Sequence, residues 1–267
     1  TPELEERSAA ENEKYLAENN IIVSGQDLPP AIQQYDFGER ISARLQQYDA
    51  PTAIQAQGWS IALQGRDLIG VGESGSGKTL AFLLPALFHV SHQQRLLQEA
   101  GVMLKRAALG LILVPTSDIA RQILKVACQY GPSMGVHPVD ITGGSKPQRQ
   151  LAELRTSNLV IGTPGRVLNL VQRGDLVLDL CSYLVLDEAD RMMDMSFEPQ
   201  IRAIINTTRS DRQTLMWSAT WPDQIQDLAY DFLSNPVRLC VGSTQVRANQ
   251  NITQHVHITT HQEKTIL

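Results

Sequence analysis

From Pro51 onward the chain alternates short apolar runs with longer mixed stretches. The runs at 68–71, 110–114, 138–141, 159–161, 183–186, 213–217 and 237–241 are short and mostly aliphatic, the pattern of strands buried on both faces. Helical patterning separates most of them. This alternation predicts an α/β fold, a mostly parallel sheet with helices on both faces. Upstream the pattern is different. Residues 1–25 are rich in Glu and Asn and predict a polar helix, then an extended piece at Ile21, Ile22 and Val23. Pro29 and Pro30 mark a break. Ile41 and Leu45, four apart, predict a helix within 37–48. At the other end, 242–254 is polar and reads as a linker, and 255–258 as a new strand.

These patterns divide the chain into a flanking segment at 1–36, one α/β domain at 37–242, and a linker with the start of another domain at 243–267. A hydrophobic content of 42% is enough for a sizeable core and argues against disorder. The formal net charge of −5 means that a nucleic-acid partner would need a local basic face. Cys128, Cys181 and Cys240 lie far apart, without metal-ligand spacing. They suit buried thiols in a reducing compartment, cytoplasmic or nuclear. The six histidines form no nucleophile or metal constellation. The longest apolar run, 80–90, is too short to span a bilayer, and no signal peptide is evident. No internal repeat stands out.

Two segments carry candidate chemistry. The first is Gly72-Glu73-Ser74-Gly75-Ser76-Gly77-Lys78-Thr79, between a predicted strand and an apolar helical stretch. Glycines let successive backbone N–H groups curl around phosphate oxygens without a Cβ clash. Lys78 adds a point charge, Thr79 a hydroxyl for Mg²⁺, and the following helix its positive end. A nucleotide is the expected ligand. The second is Asp187-Glu188-Ala189-Asp190, directly after the run at 183–186. An acidic residue leaving the end of a buried strand stands where α/β sheets bind ligands. Asp187 suits Mg²⁺ held through water, and Glu188 suits a group that polarises an attacking water. A merely acidic helix N-terminus is the plainer reading.

With the phosphate loop upstream, Asp187-Glu188-Ala189-Asp190 resembles a DEAD-box RNA helicase, and the chain from about residue 21 resembles the N-terminal of that family's two RecA-like domains. The resemblance implies an ATP-dependent RNA helicase that uses ATP and Mg²⁺, with Lys78, Asp187 and Glu188 in the catalytic set. Pro51-Thr52-Ala53-Ile54-Gln55 resembles the adenine-reading segment, whose glutamine amide pairs with the base edge; Gln55 also reads as a polar helix-face residue. Ser218-Ala219-Thr220 resembles the segment coupling hydrolysis to strand separation, with both hydroxyls in reach of Asp190 or Glu188; helix capping is the alternative. Pro115-Thr116-Ser117-Asp118-Ile119-Ala120, Thr142-Gly143-Gly144 and Thr163-Pro164-Gly165-Arg166 resemble the family's RNA-contacting motifs. Helix N-termini and glycine amides grip backbone phosphates without reading bases.

Several positions depart from the family pattern. Ser117-Asp118 stands where the family has Arg-Glu, and Arg121, four residues on from Ser117, is placed to supply the missing charge or to be a solvated cation. Glu73 and Ser74 replace glutamine and threonine in the phosphate loop. Phe37, or Tyr35, is the candidate for the aromatic that stacks on adenine, with a core role for Phe37 as the alternative. In Arg191-Met192-Met193-Asp194-Met195-Ser196-Phe197, Ser196 replaces a glycine and the methionines read as packing. Trp59, Trp217 and Trp221 read as core or groove lining. The family's second RecA-like domain carries its arginine finger, and the chain stops where that domain is expected to begin. A divergent nucleotide-binding scaffold without productive cycling is the rival reading, motivated by Glu73 and Ser117.

Overall fold

The computed structural model describes residues 9–32, 37, 39–102, 106–144 and 147–242. Tyr35, the segment 243–254 and the strand expected at 255–258 lie outside the described residues. Among them, eight strands form one sheet: β1 (Ile21–Ser24), β2 (Leu68–Gly72), β3 (Gly110–Leu113), β4 (Pro138–Ile141), β5 (Leu159–Gly162), β6 (Tyr183–Leu186), β7 (Gln213–Ser218) and β8 (Val237–Val241). Their order across the sheet is β1-β8-β2-β7-β6-β3-β5-β4. All pairings are parallel except β1 with β8. The helices are α1 (Ala9–Glu18), α2 (Glu39–Leu45), α3 (Ala53–Leu63), α4 (Lys78–Glu99), α5 (Ser117–Tyr130), α6 (Pro147–Glu153), α7 (Pro164–Gln172), α8 (Ala189–Asp194), α9 (Glu198–Ile205) and α10 (Asp223–Phe232).

Strand alternation divides the core in two. Leu68, Ile112, Val185, Leu215 and Leu239 face one side, where α3, α4 and α5 pack. Ile69, Leu111, Leu184, Met216 and Cys240 face the other, against α7, α9 and α10. Every residue of β2, β3, β5, β6 and β7 is buried, as parallel strands covered on both faces must be. The Trp217 indole lies flat over β2: a Cβ at Gly70 would come within 2.2 Å of its ring, so only glycine fits there.

Each of the seven strands expected between residues 68 and 241 is present to within a residue at its ends. The flanking segment differs from expectation. Ile21–Ser24 is the antiparallel edge strand of the main sheet, Ile21 opposite Val241, so the sheet extends into the stretch assigned to the 1–36 segment. Such long-range pairing leaves no periodic trace in four residues. Two packing expectations also change. Cys181 and Cys240 are buried but Cys128 is exposed. Met192 is fully buried, whereas Met195 is 43% exposed.

Candidate functional site

In-register pairing builds the site. Ile141, Gly162, Leu113, Leu186 and Met216 form one row across β4, β5, β3, β6 and β7, and Val71 of β2 pairs with Ser218. The loops that follow these strands therefore leave the sheet on one edge, the carboxyl ends, where α/β folds bind ligands.

The first half of this edge holds the glycine-rich loop. Gly77 sits at φ 97° at the start of α4, and a Cβ there would lie 2.6 Å from Gln55 Nε2 and Thr52 Oγ1. Lys78 Nζ donates to the carbonyls of Gly72 (2.6 Å) and Glu73 (2.9 Å), closing the loop on itself. Gln55 is 5% exposed. Its Oε1 accepts from Thr52 N–H at 3.1 Å and its Nε2 donates to Gly77 O at 3.1 Å. The partners fix the amide's orientation, since an N–H only donates and a carbonyl only accepts. One amide hydrogen and one lone pair remain for a ligand.

The acidic segment stands two strands away, after β6. Asp187 is buried, and that burial pushes its carboxyl up to about 7 against the pull of the Lys78 ammonium. Burial likewise lowers Lys78 from its ordinary value, with Asp187, Asp190, Glu188 and Glu73 pulling the other way. Two opposite charges thus share a site too dry to favour either. Glu188 adopts a left-handed backbone (φ 54°, ψ 51°) at the start of α8, an unusual conformation for a residue with a Cβ. Its Oε2 accepts from Arg191 at 3.2 Å. Asp190 Oδ2 accepts from Ala219 N–H (3.2 Å), Thr220 N–H (2.9 Å) and the Thr220 hydroxyl (2.9 Å), joining the acidic segment to the end of β7. The Ser218 hydroxyl does not join them; it is buried without a partner, as is that of Ser76 in the loop.

Thr79, half-buried in the first turn of α4, and Asp187 fit Mg²⁺. A buried carboxyl raised this far is one that a divalent cation would return to its charged form. Among the described residues no group of three or more His, Cys, Asp or Glu could hold a metal, so a dedicated protein cage is absent there. Mg²⁺ characteristically takes one or two protein oxygens and fills its shell with water and phosphate.

The second half of the edge carries the loops after β3, β5 and β4. Thr116 caps α5, its Oγ1 accepting from Ile119 N–H at 3.4 Å. Thr163 precedes α7, with Pro164 in that helix's first turn. The Thr142-Gly143-Gly144 turn exposes both glycines. Gln150 of α6, only 1% exposed, links two of these loops. Its Nε2 donates to Thr142 O at 2.9 Å and its Oε1 accepts from Arg166 Nε at 3.0 Å. Sequence reasoning missed this residue because a lone glutamine in a polar helical stretch carries no signal.

One expected site residue lies elsewhere. Phe37 is 4% exposed and packs edge-on against Trp59 (centroids 4.8 Å apart) and beside Phe88 (5.7 Å). The structure gives it the core role, because a ring enclosed by two aromatics has no face open to adenine. Arg121 pairs with Asp118 one turn back on α5, with both side chains exposed. Trp59 and Trp217 are fully buried, while Trp221 lies partly buried under the Arg238 guanidinium, 5.0 Å from its ring.

Known proteins share this architecture. The DEAD/DEAH box helicase family model matches residues 52–228. The chain is 45% identical over 265 residues to the ATP-dependent RNA helicase p62 of Drosophila melanogaster, covering 96% of this chain and 36% of that protein. It is 44% identical over 269 residues to the ATP-dependent RNA helicase DBP2 of Chaetomium thermophilum, covering 98% and 47%. The chain thus spans less than half the length of these curated relatives. Among solved structures, the RNA helicase Prp28 from Chaetomium thermophilum bound to ADP superposes with a TM-score of 0.79 at 32% identity, covering 91% of this chain and 59% of that one. The chain belongs to the DEAD/DEAH box helicase family.

Proposed function

We propose that this chain is the ATP-binding half of an ATP-dependent RNA helicase, which binds ATP with Mg²⁺ and the backbone of single-stranded RNA along one sheet edge. The observation that carries the reading is the clasp of Asp190 on Ala219 and Thr220, beside the half-buried Lys78 and the buried Asp187. Lys78 would exchange its loop carbonyls for phosphate oxygens, and Gln55 would read adenine with the hydrogen-bonding capacity it retains. Thr79 and Asp187 would hold Mg²⁺, whose chemistry is to neutralise charge developing on the transferred phosphoryl group. Glu188, fixed at the start of α8, would orient the attacking water. Pro115, Thr116, Gly143, Gly144, Thr163, Pro164, Gly165 and Arg166 would grip RNA phosphates irrespective of sequence. A second RecA-like domain would complete both sites and remodel RNA duplexes. Among the described residues no helix is long and apolar enough to cross a membrane; we place the parent protein in the cytoplasm or nucleus.

Calorimetry with ADP and GDP, followed by phosphate release with and without RNA, tests the reading. The chain should prefer ADP, with Gln55→Ala removing roughly 1–3 kcal/mol of preference and weakening both nucleotides through the freed Gly77. RNA-stimulated hydrolysis should be nearly nil in this chain and should return when the parent's second RecA-like domain is joined, since an arginine finger contributes roughly 10³–10⁵-fold. Equal affinity for ADP and GDP would refute the adenine assignment. A two-domain protein that binds ATP but never turns over would favour the scaffold reading, which the pairing of Arg121 with Asp118 keeps in play.

A further inference from the structure

Gln150 has no assigned role so far, yet it is a buried polar side chain at the proposed RNA face. It reaches that face from α6, outside every motif on the edge. Its amide has one possible orientation. Arg166 Nε only donates, so Oε1 must accept; the Thr142 carbonyl at 2.9 Å and the Asp140 carbonyl at 3.4 Å only accept, so Nε2 must donate. Backbone pairing supplies a second tie between the same loops, with Thr163 N–H donating to Ile141 O at 3.2 Å. Among the described residues the Arg166 guanidinium makes no other side-chain hydrogen bond. Among the described residues it forms no ion pair, and its second terminal nitrogen is buried without a partner. A planar cation held at Nε by a neutral acceptor keeps its full charge for an anion.

We infer that Gln150 is a positioning residue. It locks Arg166 and the Thr142-Gly143-Gly144 turn into one rigid unit, so that guanidinium and glycine amides meet successive phosphates of one RNA strand. The inference rests on the proposed function, because it needs those loops to bind RNA. A neutral amide suits the task better than a carboxylate, which would neutralise Arg166 and repel the phosphates.

The test is a double-mutant cycle in this chain with labelled single-stranded RNA at several salt concentrations, using ADP affinity as the check on folding. Gln150→Met keeps the side-chain volume and removes all three hydrogen bonds. It should weaken RNA roughly tenfold, about the worth of one charge-assisted hydrogen bond. It should also flatten the salt dependence by roughly 0.7, one phosphate of a single strand. In an Arg166→Ala background the same change should cost much less, because the two residues act as a unit. A purely structural role would leave the two effects additive and the slope unchanged, overturning the proposal. Arg166→Lys, which keeps the charge but not the planar fork, provides the second arm. It should lose most of what Arg166→Ala loses; full affinity there would show that a point charge suffices and would also overturn the proposal. If the unmutated chain binds ADP but no RNA even at low salt, the RNA part of the functional reading fails and this inference fails with it. RNA binding that is indifferent to Gln150 removes the inference alone.

Discussion

The loops after β2, β7 and β6 and the loops after β3, β5 and β4 leave one edge of one sheet, yet they are held in different ways. The first set is held by charge. Lys78 grips its own loop's carbonyls, Asp190 clasps the end of β7, and Asp187 and Lys78 share a dry site in which burial discourages both charges. The second set is held by a neutral amide and a hydroxyl, Gln150 and Thr116, which leave Arg166 without an ion pair among the described residues. A site of mutually restrained charges suits a compact, highly charged ligand that arrives with its own cation. A face with a free cation and exposed glycine amides suits a long, repeating anion. The difference in scaffolding is the physical argument for assigning nucleotide to one half and RNA backbone to the other.

Perturbations should separate the halves, and the largest should strike both together. His89 on α4 packs beneath the shared sheet, its ring 5.2 Å from that of Tyr183 and its Nε2 2.8 Å from the Ser182 hydroxyl. Burial, with His92 adding to it, pushes its pKa down to about 4. Between its ordinary value near 6.5 and 4, the unfolded chain takes up a proton that the folded chain refuses. Stability from this group is therefore complete above about 6.5 and falls as pH drops toward 4, by up to about 3 kcal/mol. Denaturant melts from pH 7 to 4 should show the loss, and His89→Asn should flatten that part of the curve. An unchanged difference between the two proteins across this range would contradict the assignment.

The next effect should be confined to one half. Lys78→Ala removes a charged donor and should weaken ADP binding by about 1.5–3 kcal/mol, roughly 10- to 100-fold. RNA affinity should stay within twofold, as the RNA loops do not lean on Lys78. A parallel loss of RNA binding would mean that the two halves are one site.

A smaller effect lies under the acidic segment. Ser196 ends the turn after α8 at φ 58°, where its N–H donates to Met193 O at 2.8 Å. Any side chain costs about 1 kcal/mol in that conformation. Ser196→Gly should stabilise the fold by about that amount in thermal melts, with ADP affinity unchanged. Smallest of all is Arg121→Ala. Its exposed pair with Asp118 is worth at most about 1 kcal/mol, and the salt slope for RNA should not move. A flattened slope would restore Arg121 to the RNA face.

The two halves also differed in how far the sequence revealed them. The phosphate loop and the acidic segment were readable because each packs its chemistry into consecutive residues after an apolar run. The expected bond from the Thr220 hydroxyl to Asp190 is present, whereas Ser218, one pleat deeper, is buried away from it. Phe37 misled because aromatic character alone does not tell a stacking platform from a core side chain; its contacts with Trp59 and Phe88 decide, and those come from distant elements. Gln150 was silent because its role lies in two hydrogen bonds to loops that only the sheet brings together. The Glu188 backbone gave no warning either, since left-handed geometry at a glutamate is imposed by its surroundings.

The central claim is that one sheet edge carries two adjacent sites of different chemistry. Backbone amide chemical-shift mapping on the isotope-labelled chain tests it most directly, first with ADP and Mg²⁺ and then with single-stranded RNA. ADP should shift residues 72–79, 187–190 and 218–220, and RNA should shift 116, 117, 142–144, 163, 165 and 166 with little overlap. ADP shifts clustered instead in the roughly 860 Å³ groove on the opposite end of α4, around Phe88, His92 and Arg95, would contradict the account, as would RNA and ADP perturbing the same residues.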